Sequence, residues 1–141
     1  MSRDPTPDLL FPTCAECQSM GVVVPGWLPA MEAELGSEAV KAFLLRHAGR
    51  QVIVPVRATP HDPAKDWLRR EIGYGRLTVP MGPAARKHRQ RWTALALLRG
   101  GSSLAQVAAA LNVHSRTASH WRADFLQRGH LRQPHLAGIP R

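Results

Sequence analysis

Ser103-Leu104-Ala105-Gln106-Val107-Ala108-Ala109-Ala110-Leu111-Asn112-Val113-His114-Ser115-Arg116-Thr117-Ala118-Ser119-His120-Trp121-Arg122 is the stretch on which the fold turns. Ser103 followed three residues later by Gln106 spells a capping box, in which hydroxyl and amide side chain each satisfy the other residue's backbone N–H. Leu104, Val107, Ala108 and Leu111 recur at helical spacing, so a short helix is expected over 104–111, and its alanines let a neighbouring helix approach closely. Asn112 tolerates the left-handed conformation that ends a helix in a tight turn. Val113 returns to the core, and Ser115 is expected to cap a further helix from Arg116 to about Arg128, with Ala118, Trp121 and Phe125 facing inward. Helix, three-residue turn, helix is the helix-turn-helix arrangement, the alternative being an ordinary helical hairpin.

On that register Ser115, Arg116, Thr117, Ser119, His120 and Arg122 lie on or near the outer face. Arg116, Thr117, Ser119, His120 and Arg122 are the candidates for contact with base edges, Arg116 above all because its guanidinium can grip guanine in two places. Ser115 is expected chiefly to cap, and to donate to phosphate where it does not. Upstream, 84–98 reads as a helix that offers Trp92, Leu95, Ala96 and Leu98 to a core. Its first turns are crowded by Arg86, Lys87, His88, Arg89 and Arg91. Cations at a helix N-terminus oppose its dipole, so the placement calls for an external reward. Phosphate contacts from Arg86, Lys87, Arg89 and Arg91 would supply it; a merely solvated basic face is the alternative.

The charge is distributed accordingly. The chain of 141 residues has 19 Lys and Arg against 10 Asp and Glu, a net +9. Residues 1–80 hold equal numbers of acids and bases, so the whole excess falls after Pro80, where Asp124 is the single acid. Double-stranded DNA is the partner such an asymmetry favours.

The first part of the chain reads differently. Residues 1–27 are dotted with proline and are expected as a loosely ordered arm, with Met20–Val24 as a short strand within it. Leu28, Met31 and Leu35 mark a helix that Gly36 stops; Ser37 is expected to cap the next, with Val40, Phe43 and Leu44 on one face and Gly49 as its stop. Strands are expected from Gln51 and from Arg76 to Pro80, with a helix over about 64–72 between them. Gly49-Arg50-Gln51-Val52-Ile53-Val54-Pro55 and Gly75-Arg76-Leu77-Thr78-Val79-Pro80 share the form Gly-Arg, β-rich run, Val-Pro, either as a repeat or as two unrelated helix-to-strand turns. Residues 28–80 alone would make a marginal core with open strand edges, so a homodimer through this half is expected. The competing arrangement is a monomer whose C-terminal helices cover the sheet. The fold class is therefore mainly α with a small β component: arm 1–27, helix-strand dimerisation domain 28–80, a Met81-Gly82-Pro83 linker opening a helix-turn-helix domain 81–128, and tail 129–141.

The order of helix, Gly-Arg, β-run and Val-Pro, its echo at Pro80, the basic helix and the Leu111-Asn112-Val113-His114-Ser115-Arg116-Thr117 turn resemble the Mor transcription activator family of phage Mu and related prophages. The resemblance covers roughly Leu28 to Phe125. It implies a dimer built on the N-terminal helices and strands, with paired helix-turn-helix units that bind a promoter and assist host RNA polymerase in the cytoplasm and nucleoid of a bacterial host. Ala48-Gly49 stands where two glycines are common in the family, and Ala118 and Trp121 stand where β-branched residues are frequent.

Other chemistry has less support. Cys14 and Cys17 have the spacing of half a zinc site, which His47, His61 or a second subunit would have to complete; two reduced thiols are the simpler reading, and no cofactor is expected. Carboxylates are too scattered for paired acid–base catalysis and there is no phosphate-cradling glycine loop, so no enzymatic activity is expected. No run approaches the roughly 18 apolar residues of a membrane span, and the start lacks a secretory pattern. Two rival functions remain: a transposase-like DNA-targeting or accessory recombination factor, and a phage protein that binds nucleic acid without sequence preference.

Overall fold

The computed structural model describes residues 8–24 and 26–132; the expected arm before residue 8 and tail beyond residue 132 lie outside them. The described residues are mainly helical, with one two-stranded antiparallel sheet. The described residues form two compact units: Phe11–Arg89, and residues 90–132 together with residues 8–10. The first is wider at both ends than the expected 28–80.

The Phe11–Arg89 unit holds α1 (Cys14–Ser19), α2 (Trp27–Leu35), α3 (Ser37–His47), β1 (Gln51–Val54), α4 (Pro63–Glu71), β2 (Gly75–Thr78) and a 3-10 turn (Gly82–Ala84). The expected loose arm is corrected at α1. Thr13 and Glu16 cap it reciprocally, and the Glu32 carboxylate of α2 accepts the Cys14 amide at 2.8 Å and the Ala15 amide at 3.3 Å. An anionic acceptor at a helix start satisfies amides that have no partner within the helix and favours the dipole. Cys14 and Cys17, one turn apart, are thereby driven into the core beside Leu28 and Met31. Met20–Val24 is not a strand: Met20 ends α1, Gly21 turns with φ 83°, and Val24 enters the core from irregular chain.

Gly36, at φ 94°, both ends α2 and precedes α3, so Ser37 is the first helical residue and not the cap, and no side chain caps α3. Val40, Phe43 and Leu44 are buried as their spacing requires. The two Gly-Arg segments pair with each other, in the register Gln51↔Thr78, Val52↔Leu77, Ile53↔Arg76 and Val54↔Gly75. The pairing continues where the Gly49 amide donates to Val79 O and the Val79 amide to Arg50 O, both at 2.8 Å. Gly49 makes this exit at φ 74°, where a Cβ would also lie 2.8 Å from Met81 Sδ. Alternation puts Val52 and Val54 inward and Ile53 outward. Between the strands α4 starts at Asp62, whose carboxylate accepts the Lys65 amide at 3.2 Å, and contributes Trp67 and Leu68 to the core. Met81-Gly82-Pro83 is no slack linker, since it enters the 3-10 turn and Pro83 is buried.

The second unit consists of α5 (Arg86–Arg99, whose first turn precedes the unit boundary), α6 (Leu104–Leu111) and α7 (Ser115–Gln127). Its core is made by Leu95, Val107, Leu111 and Phe125, with Ala94, Ala108 and Ala118 also buried. On α5 the expected inner face is displaced. Thr93, Ala94 and Leu95 are buried, Ala96 is exposed, and Trp92 and Leu98 are half-buried. Thr93 can be buried because its hydroxyl accepts the Leu10 amide at 2.9 Å.

Candidate nucleic-acid interface

The α6–α7 junction is built by local chemistry. Ser103 and Gln106 form the reciprocal cap, with the Ser103 amide donating to Gln106 at 2.8 Å and the Gln106 amide to Ser103 Oγ at 3.1 Å. Asn112 adopts φ 54°, ψ 50°, the sole positive φ of a non-glycine residue among the described residues. That single left-handed residue reverses the chain, and the Val113 amide closes the turn on Ala108 O at 3.0 Å. Gln90 of α5 donates to Leu111 O at 3.4 Å, taking up one of the carbonyls left open at the end of α6.

α7 then presents two faces. Ala118 and Phe125 are buried and Trp121 is half-buried, as expected. Ser115, Arg116, Ser119 and His120 are exposed, whereas Thr117 and Arg122 are half-buried at the border of that face. One expectation fails at the helix start. His114, in extended conformation, occupies the cap position and Ser115 is the first helical residue, so the Ser115 hydroxyl is not consumed by capping. With no acidic residue in the first turn and no side-chain cap, the opening amides of α7 remain available to an outside acceptor. His114, Ser115, Arg116 and Thr117 line a shallow cavity of about 400 Å³ at this end. His114, absent from the expected contacts, therefore belongs to the same surface; its place immediately before the helix was the signal.

The basic residues of α5 divide into separate roles. Arg86 and Lys87 are exposed, and their helix has no acid in its first turn. Arg89 is half-buried, its guanidinium 5.3 Å from the centroid of the Phe11 ring, which Lys41 also approaches at 5.9 Å. Arg91 does not serve as an outward cation. Its guanidinium donates to Asp124 on α7 and lies 5.8 Å from the Phe125 ring centroid, with Nε buried. Asp124 also accepts from Arg128 Nε at 2.9 Å. Partial burial alone would raise the Asp124 pKa, but the hydrogen bonds and charges of Arg128 and Arg91 hold its carboxyl below the usual range. The single acid of the basic half is thus spent internally.

Residues 85–132 match the homeodomain-like domain family. The three C-terminal helices form a helix-turn-helix domain. The match runs from the residue before α5 to the last described residue, and the DNA-binding character of such domains agrees with the exposed polar and cationic face of α7. No curated protein and no solved structure matches the chain. Among the described residues no helix is long and apolar enough to cross a membrane.

Burial first, with the carboxylate of Glu32 (and of Glu16 for Cys17) adding to it, pushes the thiols of Cys14 and Cys17 up to about 12, so both stand in the core as neutral thiols. No group of three or more His, Cys, Asp or Glu side chains among the described residues could hold a metal ion.

Proposed function

We propose that this protein is a sequence-specific DNA-binding transcription regulator, acting as a homodimer to activate phage or prophage genes together with host RNA polymerase. The exposed face of α7 carries the reading: Ser115, Arg116, Ser119 and His120 stand outward from a helix that follows a tight left-handed turn. Arg116 grips a guanine edge in the major groove, Thr117, Ser119, His120 and Arg122 read adjacent positions, and Ser115 with the α7 amides holds a phosphate. Arg86, Lys87 and Arg89 add phosphate contacts, with Arg89 sharing its charge with Phe11. Arg91 is assigned instead to bracing α5 against α7.

Dimerisation is assigned to the Phe11–Arg89 unit. Ile53, Val56 and Tyr74, on and beside the two-stranded sheet, are each about two-thirds exposed, an apolar surface that a second copy would cover.

Selection of bound sites from a random duplex pool, at near-physiological salt, tests the proposal. A two-fold motif with half-sites about one helical turn apart supports a dimeric regulator. Salt-sensitive binding without enrichment overturns it and favours non-specific nucleic-acid binding. Run-off transcription on the selected site then separates an activator from a recombination factor.

A further inference from the structure

A second concave site lies wholly within the Phe11–Arg89 unit, between the outer face of α3 and the start of α4. Its volume is about 490 Å³, within the ordinary range for small-molecule sites. Ala42 and Phe43 of α3 and Ala64 of α4 give it apolar walls, and the Phe43 ring is itself buried and held edge-on by Trp27, with ring centroids 6.3 Å apart. Arg46, His47 and His61 stand around it.

The rim sets the Arg46 guanidinium and two imidazoles against a single carboxylate, that of Asp62. Arg46 and His61 are exposed and have no ion-pair partner among the described residues. Asp62, the one acid lining the cavity, is engaged by the Lys65 amide as the cap of α4. His47 is tilted against Phe43 with centroids 5.0 Å apart. Its protonated form is disfavoured by burial, and then by Lys65 and Arg46, with Arg50 acting the same way and Asp62 opposing. An apolar floor beneath a planar guanidinium and two imidazoles is complementary to a ligand with a flat or compact hydrocarbon body and one carboxylate. We propose that this cavity binds a small organic carboxylate, its body against Phe43, Ala42 and Ala64 and its anionic end at Arg46, His47 and His61.

Benzoate is the probe, titrated into the full chain and followed by the imidazole and methyl NMR signals, with benzyl alcohol and inorganic phosphate as controls. The expected result is saturable benzoate binding that moves His47, His61 and the Ala42 methyl, raises the His47 titration midpoint, and weakens at least about tenfold for benzyl alcohol and in Arg46→Gln. Ala42→Phe, which fills the cavity from the exposed side of α3, should abolish the shifts while leaving the melting temperature unchanged. Perturbation that does not saturate, or that survives both substitutions, overturns the assignment. Equal binding of inorganic phosphate shows that the apolar walls contribute nothing and overturns the ligand class.

Discussion

Arg91 on α5 donates to the carboxylate of Asp124 on α7, 33 positions further along the chain, and so ties the opening of the helix-turn-helix domain to its last helix. Both side chains are about one-fifth exposed. This geometry lies between an open surface pair, worth little, and a dry buried one, whose disruption is expensive. Asp124→Asn should therefore destabilise the protein by about 1–2 kcal/mol. Urea denaturation checks it, and no loss of stability would contradict the bracing role.

The same carboxylate sets an acid limit on the domain. Because its folded pKa lies below the unfolded one, Asp124 stabilises the fold above the unfolded value of about 3.9 and stops doing so as pH falls through the lower folded value. Denaturation midpoints of the native chain and of Asp124→Asn should accordingly converge as pH falls below the unfolded value and through the lower folded one. A gap that persists unchanged at the acid end would show that the ion pair is not its source.

Base and phosphate contacts are separable by substitution. Arg116→Ala should cost about 1–3 kcal/mol on the selected site and little on random duplex. Lys87→Ala should weaken binding to both and lower the salt slope by about one. Fluorescence anisotropy across a salt series distinguishes them, and equal losses for Arg116→Ala on both DNAs would move that side chain to the phosphate class.

Asn112 is held at φ 54° by the chain reversal. Asn112→Ala, with no local hydrogen bonding to offset the left-handed backbone, should lose about 1 kcal/mol, whereas Asn112→Gly should be close to neutral. Thermal melts of the pair read the difference, and equal effects would place the role of Asn112 in its side chain alone.

The thiols of Cys14 and Cys17, fully buried and pushed up to about 12, should resist alkylation by iodoacetamide in native protein at mildly alkaline pH and react promptly in urea. Zinc should leave the native melting temperature unchanged. Rapid native labelling, or a zinc-dependent rise in melting temperature, would reopen the metal reading.

The legible parts of this fold are those where neighbouring residues decide the conformation. Ser103 with Gln106, Asn112, and the inward Ala118 and Phe125 are readable because cap, turn and period all act within a few residues and agree. α1 is harder to read. Its Thr13–Glu16 capping box is a local signal, but the helix is only six residues long, and its Cys14 and Ala15 amides are satisfied by Glu32 on α2, a contact that no neighbouring residue announces. Arg91 belongs to the same class: only the position of Asp124 in space separates it, as the residue that braces, from the exposed Arg86 and Lys87 of the same basic cluster. Ser37 and Ser115 fail by a single position, because Gly36 and His114 have the non-helical backbone that a cap requires and leave the serines inside the helix.

The pairing of the two Gly-Arg segments ties their lengths together. A one-residue insertion within Gln51–Val54 would turn Val52 and Val54 out to water and bring Ile53 inside, and one within Gly75–Thr78 would swap the two faces of β2 in the same way. The stretch from Pro55 to Tyr74, where α4 is suspended between the strands, can change length without disturbing that register. Two short runs of sequence thus specify one another although they lie apart in the chain.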